Sequence, residues 1–230
     1  MADVADIPCD PLAWRPQYAR PSRRPRPIAD PVIEPLWRGT RVLAHLDASR
    51  RAPDGGTWCV ILDDAGEDAS DLEPAVTAAL RAAVTAADAV IDGYLTDQAT
   101  RSGENVSLVS IGRRSGNIVT GHRIDADVAP PLDDGQPRPV AFVAVDLLRL
   151  DGQDLFDVPL LERKRLLDSL VAVGDLVRLS PYTRPPVDAW MRTWRAAGFA
   201  GVMLKAANSR YRPGAETDQW TVALATQQRR

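Results

Sequence analysis

The chain has 230 residues, 45% hydrophobic and 26% charged, with a net charge of −3 and a sequence pI near 5.5. This is a globular composition that excludes a disordered or collagen-like chain, and its acidic balance is unlike the basic field usual in nucleic-acid binders. Two cysteines, Cys9 and Cys59, and two histidines, His45 and His122, are too few and too scattered for a disulfide framework or a Cys/His metal site, so no metal site is expected.

No run reaches the roughly 18 apolar residues a membrane helix needs. The N-terminal MADVADIPCDP lacks the apolar stretch of a signal peptide, so a cytoplasmic protein is expected. Residues 1–31 are rich in proline and arginine, among them Pro16, Pro21, Pro25, Pro27 and Pro31. Proline at that density disfavours helix and favours extended chain. The segment reads as a leader strapped across the domain or as a mobile arm; the sharper alternative is a basic arm for a nucleic-acid backbone. One domain over 32–225 and a tail at 226–230 are expected.

Residues 32–46 read as extended chain, and 58–62 as a strand paired with it around the turn Pro53-Asp54-Gly55-Gly56. The alanine-rich stretch 72–89 lacks glycine and has Pro74 where a first helical turn accepts it, which predicts a helix. Strands are expected at 89–96, kinked at Gly93, and at 106–111 and 118–124 around the turn 113–117. A Pro/Asp/Gly loop at 126–139 precedes a strongly apolar strand, 140–150. Residues 159–171 read as an amphipathic helix, with Leu160, Leu161, Leu166, Leu167 and Leu170 inward and Glu162, Arg163, Lys164 and Arg165 outward. A short strand at 177–180 leads to a helix at 186–197, where Trp190 and Trp194 share a core face and Gly198 ends it. Strands at 201–206 and 220–225 close the chain. Many strands and few helices, joined mostly by turns, predict an α+β fold of antiparallel sheets with flanking helices. Neither a GxGxxG strand–turn–helix unit nor a P-loop is present.

A more specific signal lies in EPLWRGTR (34–41), VIDGYL (90–95), VDLLRLDG (145–152), PLLERKRLL (159–167) and GFAGVMLK (198–205). These are followed by the turn of Ser209 and Tyr211, by Pro213-Gly214 and by WTVAL (220–224). In order and spacing the set resembles the adenylation domain of ATP-dependent DNA ligases, in particular the bacterial end-joining type. The family patterns read EPKWDGxR, VLDGEL, FDLLYLDG, PLxERRxLL, GFEGVMLK and WLKxK. The resemblance implies a nucleotidyltransferase fold of the ligase and mRNA-capping class, ATP-grasp-like, with antiparallel sheets around an ATP cleft and a lysyl–AMP intermediate. The family's OB-fold domain is not expected here, because only six residues follow Leu224.

Carried over position by position, the resemblance implies a degenerate site. The lysine nucleophile is Leu36, which has no lone pair with which to attack phosphate. The following aspartate is Arg38. The ribose-binding glutamate is Tyr94, and the aromatic that stacks on adenine is Val145. The glutamate near metal and phosphate is Ala200, which offers magnesium no oxygen. The two lysines that grip the triphosphate are Val222 and Leu224, and an upstream arginine is Asp64, which repels phosphate. Arg41 and Lys205 remain at nucleotide-binding positions. The chain has only two lysines, Lys164 and Lys205. With Lys164 on a solvent face, Lys205 is either a backup amine in the cleft or a strand-end lysine reaching to water. Tyr94 is expected to fill the cleft, and Asp146 to serve a turn or a salt bridge.

Two functions stand against each other. One is a non-catalytic ligase-like module for binding or regulation in DNA repair or recombination, with DNA or a repair protein as partner and no cofactor. The other is an active ATP-dependent DNA ligase or nucleotidyltransferase with an atypical or complemented site, which needs ATP and magnesium.

Overall fold

The computed structural model describes residues 7–21, 27–98, 108–110, 120–122 and 139–224. In chain order the elements are β1 (Tyr18–Ala19), β2 (Pro31–Pro35), β3 (Thr40–Arg51), β4 (Thr57–Asp63), α1 (Pro74–Ala83), β5 (Asp88–Thr96), β6 (Leu108–Ser110) and β7 (Thr120–His122). They continue with β8 (Ala141–Leu150), β9 (Gln153–Asp154), α2 (Leu160–Leu170), β10 (Val177–Leu179), α3 (Val187–Ala196), β11 (Gly201–Ala206), β12 (Glu216–Thr217) and β13 (Trp220–Leu224). Among the described residues no helix is long and apolar enough to cross a membrane.

Two sheets organise the domain. The larger has the order β10-β8-β5-β3-β4, with β9 on β8; the smaller has the order β13-β11-β2. Their pairings are antiparallel, as expected, except that β10 lies parallel to β8, and β1 lies parallel to β12 in a separate two-stranded ladder. The stretch 32–46, expected as one extended segment, is split between sheets. β2 pairs with β11 in the smaller sheet and β3 with β4 and β5 in the larger. Gly39 makes the break, at φ +123, with its α-carbon packed so closely that a Cβ would collide with the Leu95 carbonyl oxygen. Only glycine accepts that conformation without strain.

Strand alternation sorts the core. On β3, Val42, Ala44 and Leu46 face an apolar layer with Val76 and Leu80 of α1 and Leu167 and Leu170 of α2. Each fully buried Val or Leu among them stabilises by about 1.5–3 kcal/mol. The opposite face, toward the smaller sheet, holds a second layer of Ile33, Trp37, Val143, Val145, Trp190, Trp194, Phe199 and Val202. A third layer contains Trp14, Leu43, Val90, Leu148, Phe156, Tyr211 and Trp220. Trp190 and Trp194 are therefore core, as their spacing implies. α1 is shorter than the predicted 72–89 because Val84 leaves the helix to bridge Val171 beyond α2, so each helix ends on the other.

One helix face is corrected outright. Arg163 and Lys164 of α2 are not outward: both are buried, together with Leu160, Leu167 and Leu170. The positions 160, 163, 164 and 167 form one i, i+3, i+4, i+7 stripe, so the period of the leucines already places the two cations inside. Charge type suggested the wrong face. The expected turn 113–117 with Arg113 and Arg114, and most of the loop 126–139, lie outside the described residues.

Candidate functional site

The space between the two sheets is where the resemblance places a nucleotide, and it is occupied by paired charges and aromatic rings. Arg41 projects from β3 and holds Asp92 of β5 with two hydrogen bonds, Nε to Oδ1 at 2.6 Å and Nη2 to Oδ2 at 2.6 Å. Its Nη1 donates to the Tyr94 hydroxyl at 2.6 Å. Burial by itself would lower the Arg41 pKa, but the Asp92 carboxylate beside it raises it well above the ordinary arginine value. The guanidinium is thus a fixed cation whose fork is already filled by a carboxylate.

Glu34, on β2, binds both lysines of the chain. Its Oε1 lies 2.5 Å from Lys164 Nζ and its Oε2 lies 3.0 Å from Lys205 Nζ. All three side chains are 2% exposed. Lys164 also donates to the Val145 carbonyl at 2.9 Å, and Lys205 lies 4.4 Å from the centroid of the Trp220 ring. Burial would raise the Glu34 pKa, but Lys164 and then Lys205 overcome it and hold the carboxyl below its ordinary range. The reading of Lys205 as a strand-end lysine reaching to water is therefore corrected: it points inward. So is Lys164 on a solvated face.

Asp146 serves a salt bridge. Arg163 grips it with Nε to Oδ1 and Nη2 to Oδ2, both at 2.8 Å, and both side chains are fully buried. Burial opposes ionisation of Asp146, and Arg163 outweighs it, so its pKa is lowered. Three carboxylates, Glu34, Asp92 and Asp146, thereby neutralise most of the charge of Arg41, Arg163, Lys164 and Lys205. A buried charge without such a partner would be strongly destabilising.

The remaining carried-over positions surround this network. Leu36 follows β2, half-buried, its N–H donating to the Gly201 carbonyl at 3.0 Å. Arg38 is exposed and 3.8 Å from Asp97. Val145 is 1% exposed, packed among the tryptophans of the second apolar layer, so nothing can stack on it without moving them. Ala200 is exposed at the start of β11. Val222 and Leu224 are 38% and 66% exposed on β13, the outer strand of the smaller sheet. Asp64 is exposed and accepts a hydrogen bond from the Tyr18 hydroxyl at 3.0 Å. Tyr94, expected as filler, is in addition a hydrogen-bond acceptor for Arg41.

Sequence reasoning missed Glu34 and Asp92 as the anions that organise the site, although both lie inside the quoted motifs. It also missed Tyr211, whose hydroxyl donates to Asp92 Oδ2 at 2.8 Å. The signal for Glu34 was its place in β2, where an acid among Val32, Ile33 and Leu36 needs a buried cation.

Among the described residues, each of the cations Arg41, Arg163, Lys164 and Lys205 is ion-paired with a carboxylate. Among the described residues no three of His, Cys, Asp and Glu gather to hold a metal.

Residues 60–221 match the family model described as ATP dependent DNA ligase domain. A protein called "Probable DNA ligase" from Mycobacterium sp. (strain KMS) is 31% identical over 190 residues, which cover 82% of this chain and 32% of that protein. "DNA ligase 2" of Methanosarcina mazei is 27% identical over 203 residues, covering 85% of this chain and 32% of its own length. The chain thus spans about a third of these relatives. Among solved structures, the ligase domain of M. tuberculosis LigD superposes with a TM-score of 0.60 at 20% identity, over 94% of this chain and 60% of that one. A mycobacterial DNA ligase D complexed with ATP and MES gives the same TM-score, 0.60, over 93% and 60%. At that identity these structures establish the shared nucleotidyltransferase fold.

Proposed function

The chain belongs to the ATP-dependent DNA ligase domain family, and from that premise we propose that it is a non-catalytic member: an adenylation fold retained as a binding or regulatory module of DNA repair. The observation that carries this reading is Leu36 immediately after β2, at the position where the family pattern EPKWDG has its lysine. Ligase chemistry begins with a neutral amine attacking an α-phosphate. Leu36 has no amine, and both lysines of the chain are buried and ion-paired with the single carboxylate of Glu34.

The other positions support the same reading. No oxygen at Ala200 answers magnesium, and Val222 and Leu224 present aliphatic surface where a triphosphate needs cations. ATP and magnesium are accordingly not cofactors of this chain. Its partner is DNA or a DNA-repair protein, recognised by the outer surface of the domain.

The test is the intact mass of the protein after incubation with ATP and magnesium, beside an active ligase domain treated identically. An unchanged mass is expected. A gain of one AMP, mapped by peptide analysis to Lys164 or Lys205, overturns the proposal and makes the chain a nucleotidyltransferase.

A further inference from the structure

The N-terminal segment does more than cover the domain. Trp14 is 1% exposed; its ring meets Phe156 edge to face at 4.7 Å and shares an apolar layer with Tyr211 and Trp220. Beyond this anchor the chain touches both sheets in turn. Toward the larger sheet, the Arg15 guanidinium lies on Gly66, where any Cβ would collide with it, and Tyr18 donates to Asp64. Both contacts fall on the turn that leaves β4. Toward the smaller sheet, the contacts fall on the loop between β11 and β13. The Gln17 N–H donates to the Tyr211 hydroxyl at 2.9 Å, Gly214 N–H to the Arg15 carbonyl at 2.8 Å, Tyr18 N–H to Ala215 at 3.0 Å and Arg20 N–H to Thr217 at 2.8 Å. The Gln17 side chain accepts from the Arg212 N–H.

Tyr211 joins this segment to the cleft. Its hydroxyl accepts from Gln17 and donates to Asp92, and Asp92 holds Arg41. A continuous chain of buried hydrogen bonds therefore runs from the segment to the one nucleotide-binding arginine that the family pattern leaves in place. We propose that residues 14–20 form a releasable clasp that ties the two sheets together and controls access to Arg41.

Release is built into how the segment is held. Its ladder with β12 is two residues long. Pro16 and Pro21 flank it, and neither has an N–H with which to extend it. Tyr18 is 39% exposed, so its bond to Asp64 competes with water. Trp14, Pro16 and Gln17 are buried, and of these only Trp14 is a large apolar side chain, so most of the segment's apolar anchoring rests on one residue. Segments with few buried contacts and short ladders open locally, at lower free energy than the core. When the clasp opens, the two loops lose their bridge, Tyr211 keeps only Asp92, and the edge of the cleft beside Arg41 meets solvent. The clasp stands independently of the non-catalytic reading: an AMP adduct would overturn that reading and leave the clasp in place.

The experiment combines native-state hydrogen exchange with arginine labelling by phenylglyoxal, both on the full chain and read by peptide mass spectrometry. In the unmodified protein, the amides of Gln17, Tyr18 and Arg20 are expected to exchange at least tenfold faster than those of β5 and β8. Trp14→Ala is expected to speed them at least a further tenfold, to speed β5 and β8 less than the clasp amides, and to raise the labelling rate of Arg41 at least tenfold. Arg15→Ala, which removes the contact on Gly66 without emptying the core, gives the same result in smaller measure. The proposal is overturned if the clasp amides of the unmodified protein exchange only together with β5, because the segment is then part of the core. It is equally overturned if a variant frees the segment and Arg41 labels at the original rate.

Discussion

Glu34 and Lys205 lie on neighbouring strands, diagonal across the β2–β11 pairing, with Oε2 3.0 Å from Nζ and neither side chain reaching water. Lys164 completes the arrangement from α2. Glu34→Gln leaves two buried ammonium groups on a neutral amide, and is expected to cost about 3–5 kcal/mol, the usual penalty for breaking a buried pair from one side. Urea unfolding at pH 7 measures it. The pH dependence carries the same signature. A carboxyl held below its unfolded value of about 4.3 stabilises the fold above that pH and loses its contribution as the pH falls through the native value. The profile of Glu34→Gln should therefore be flatter below about pH 4 than that of the unmodified protein.

Asp146 and Arg163 form a fully buried, doubly hydrogen-bonded pair. Asp146→Asn alone is expected to cost about 3–5 kcal/mol, since Arg163 is left charged in an apolar setting. Asp146→Leu combined with Arg163→Met should recover most of that loss. A double-mutant cycle that instead finds the two losses additive would place the energy outside the pair.

His45 offers a separate pH window. Burial in β3 lowers its pKa to about 4, and its Nε2 has no hydrogen-bond partner among the described residues. The native state therefore prefers the neutral ring, while the unfolded chain takes up a proton near pH 6.5. Stability from this residue is present in full above pH 6.5 and is lost as the pH falls toward 4, by about 3 kcal/mol at 1.36 kcal/mol per unit. His45→Leu should remove the slope between pH 6.5 and about 4.5, before the carboxylates begin to titrate. Chemical denaturation at closely spaced pH values reads the difference.

Leu36→Lys restores an amine at the nucleophile position. Mass spectrometry with ATP and magnesium is nevertheless expected to find no AMP adduct. On the proposed non-catalytic reading, Ala200, Val222 and Leu224 still offer no ligand for metal or triphosphate. Appearance of the adduct would show that the nucleophile was the only catalytic group missing.

The order of motifs made the family legible without any structure, and with it the antiparallel sheets and the flanking helices. Each motif couples a strand pattern to a turn residue that local sterics demand, as Gly39 does beneath Leu95. The proposed loss of chemistry rests on residue type alone, because whether a side chain has a lone pair, a charge or an oxygen is a property of the residue itself, as at Leu36, Ala200, Val222 and Leu224.

Only the tertiary structure decided where the surviving charges went. Arg163 and Lys164 sit among exposed-looking neighbours in the chain, yet the leucine period turns them inward, and Asp146 and Glu34 arrive from other strands to receive them. Lys205 needed β2 beside β11, and the role of Trp14 needed Phe156, Tyr211 and Trp220, which are more than a hundred residues away. A residue's chemistry is local, but the sign and solvation of its partner are set by packing between segments distant in the chain. The sequence alone therefore determined the family, whereas the pairing of each remaining charge and the contacts of the N-terminal segment with both sheets came from the folded arrangement.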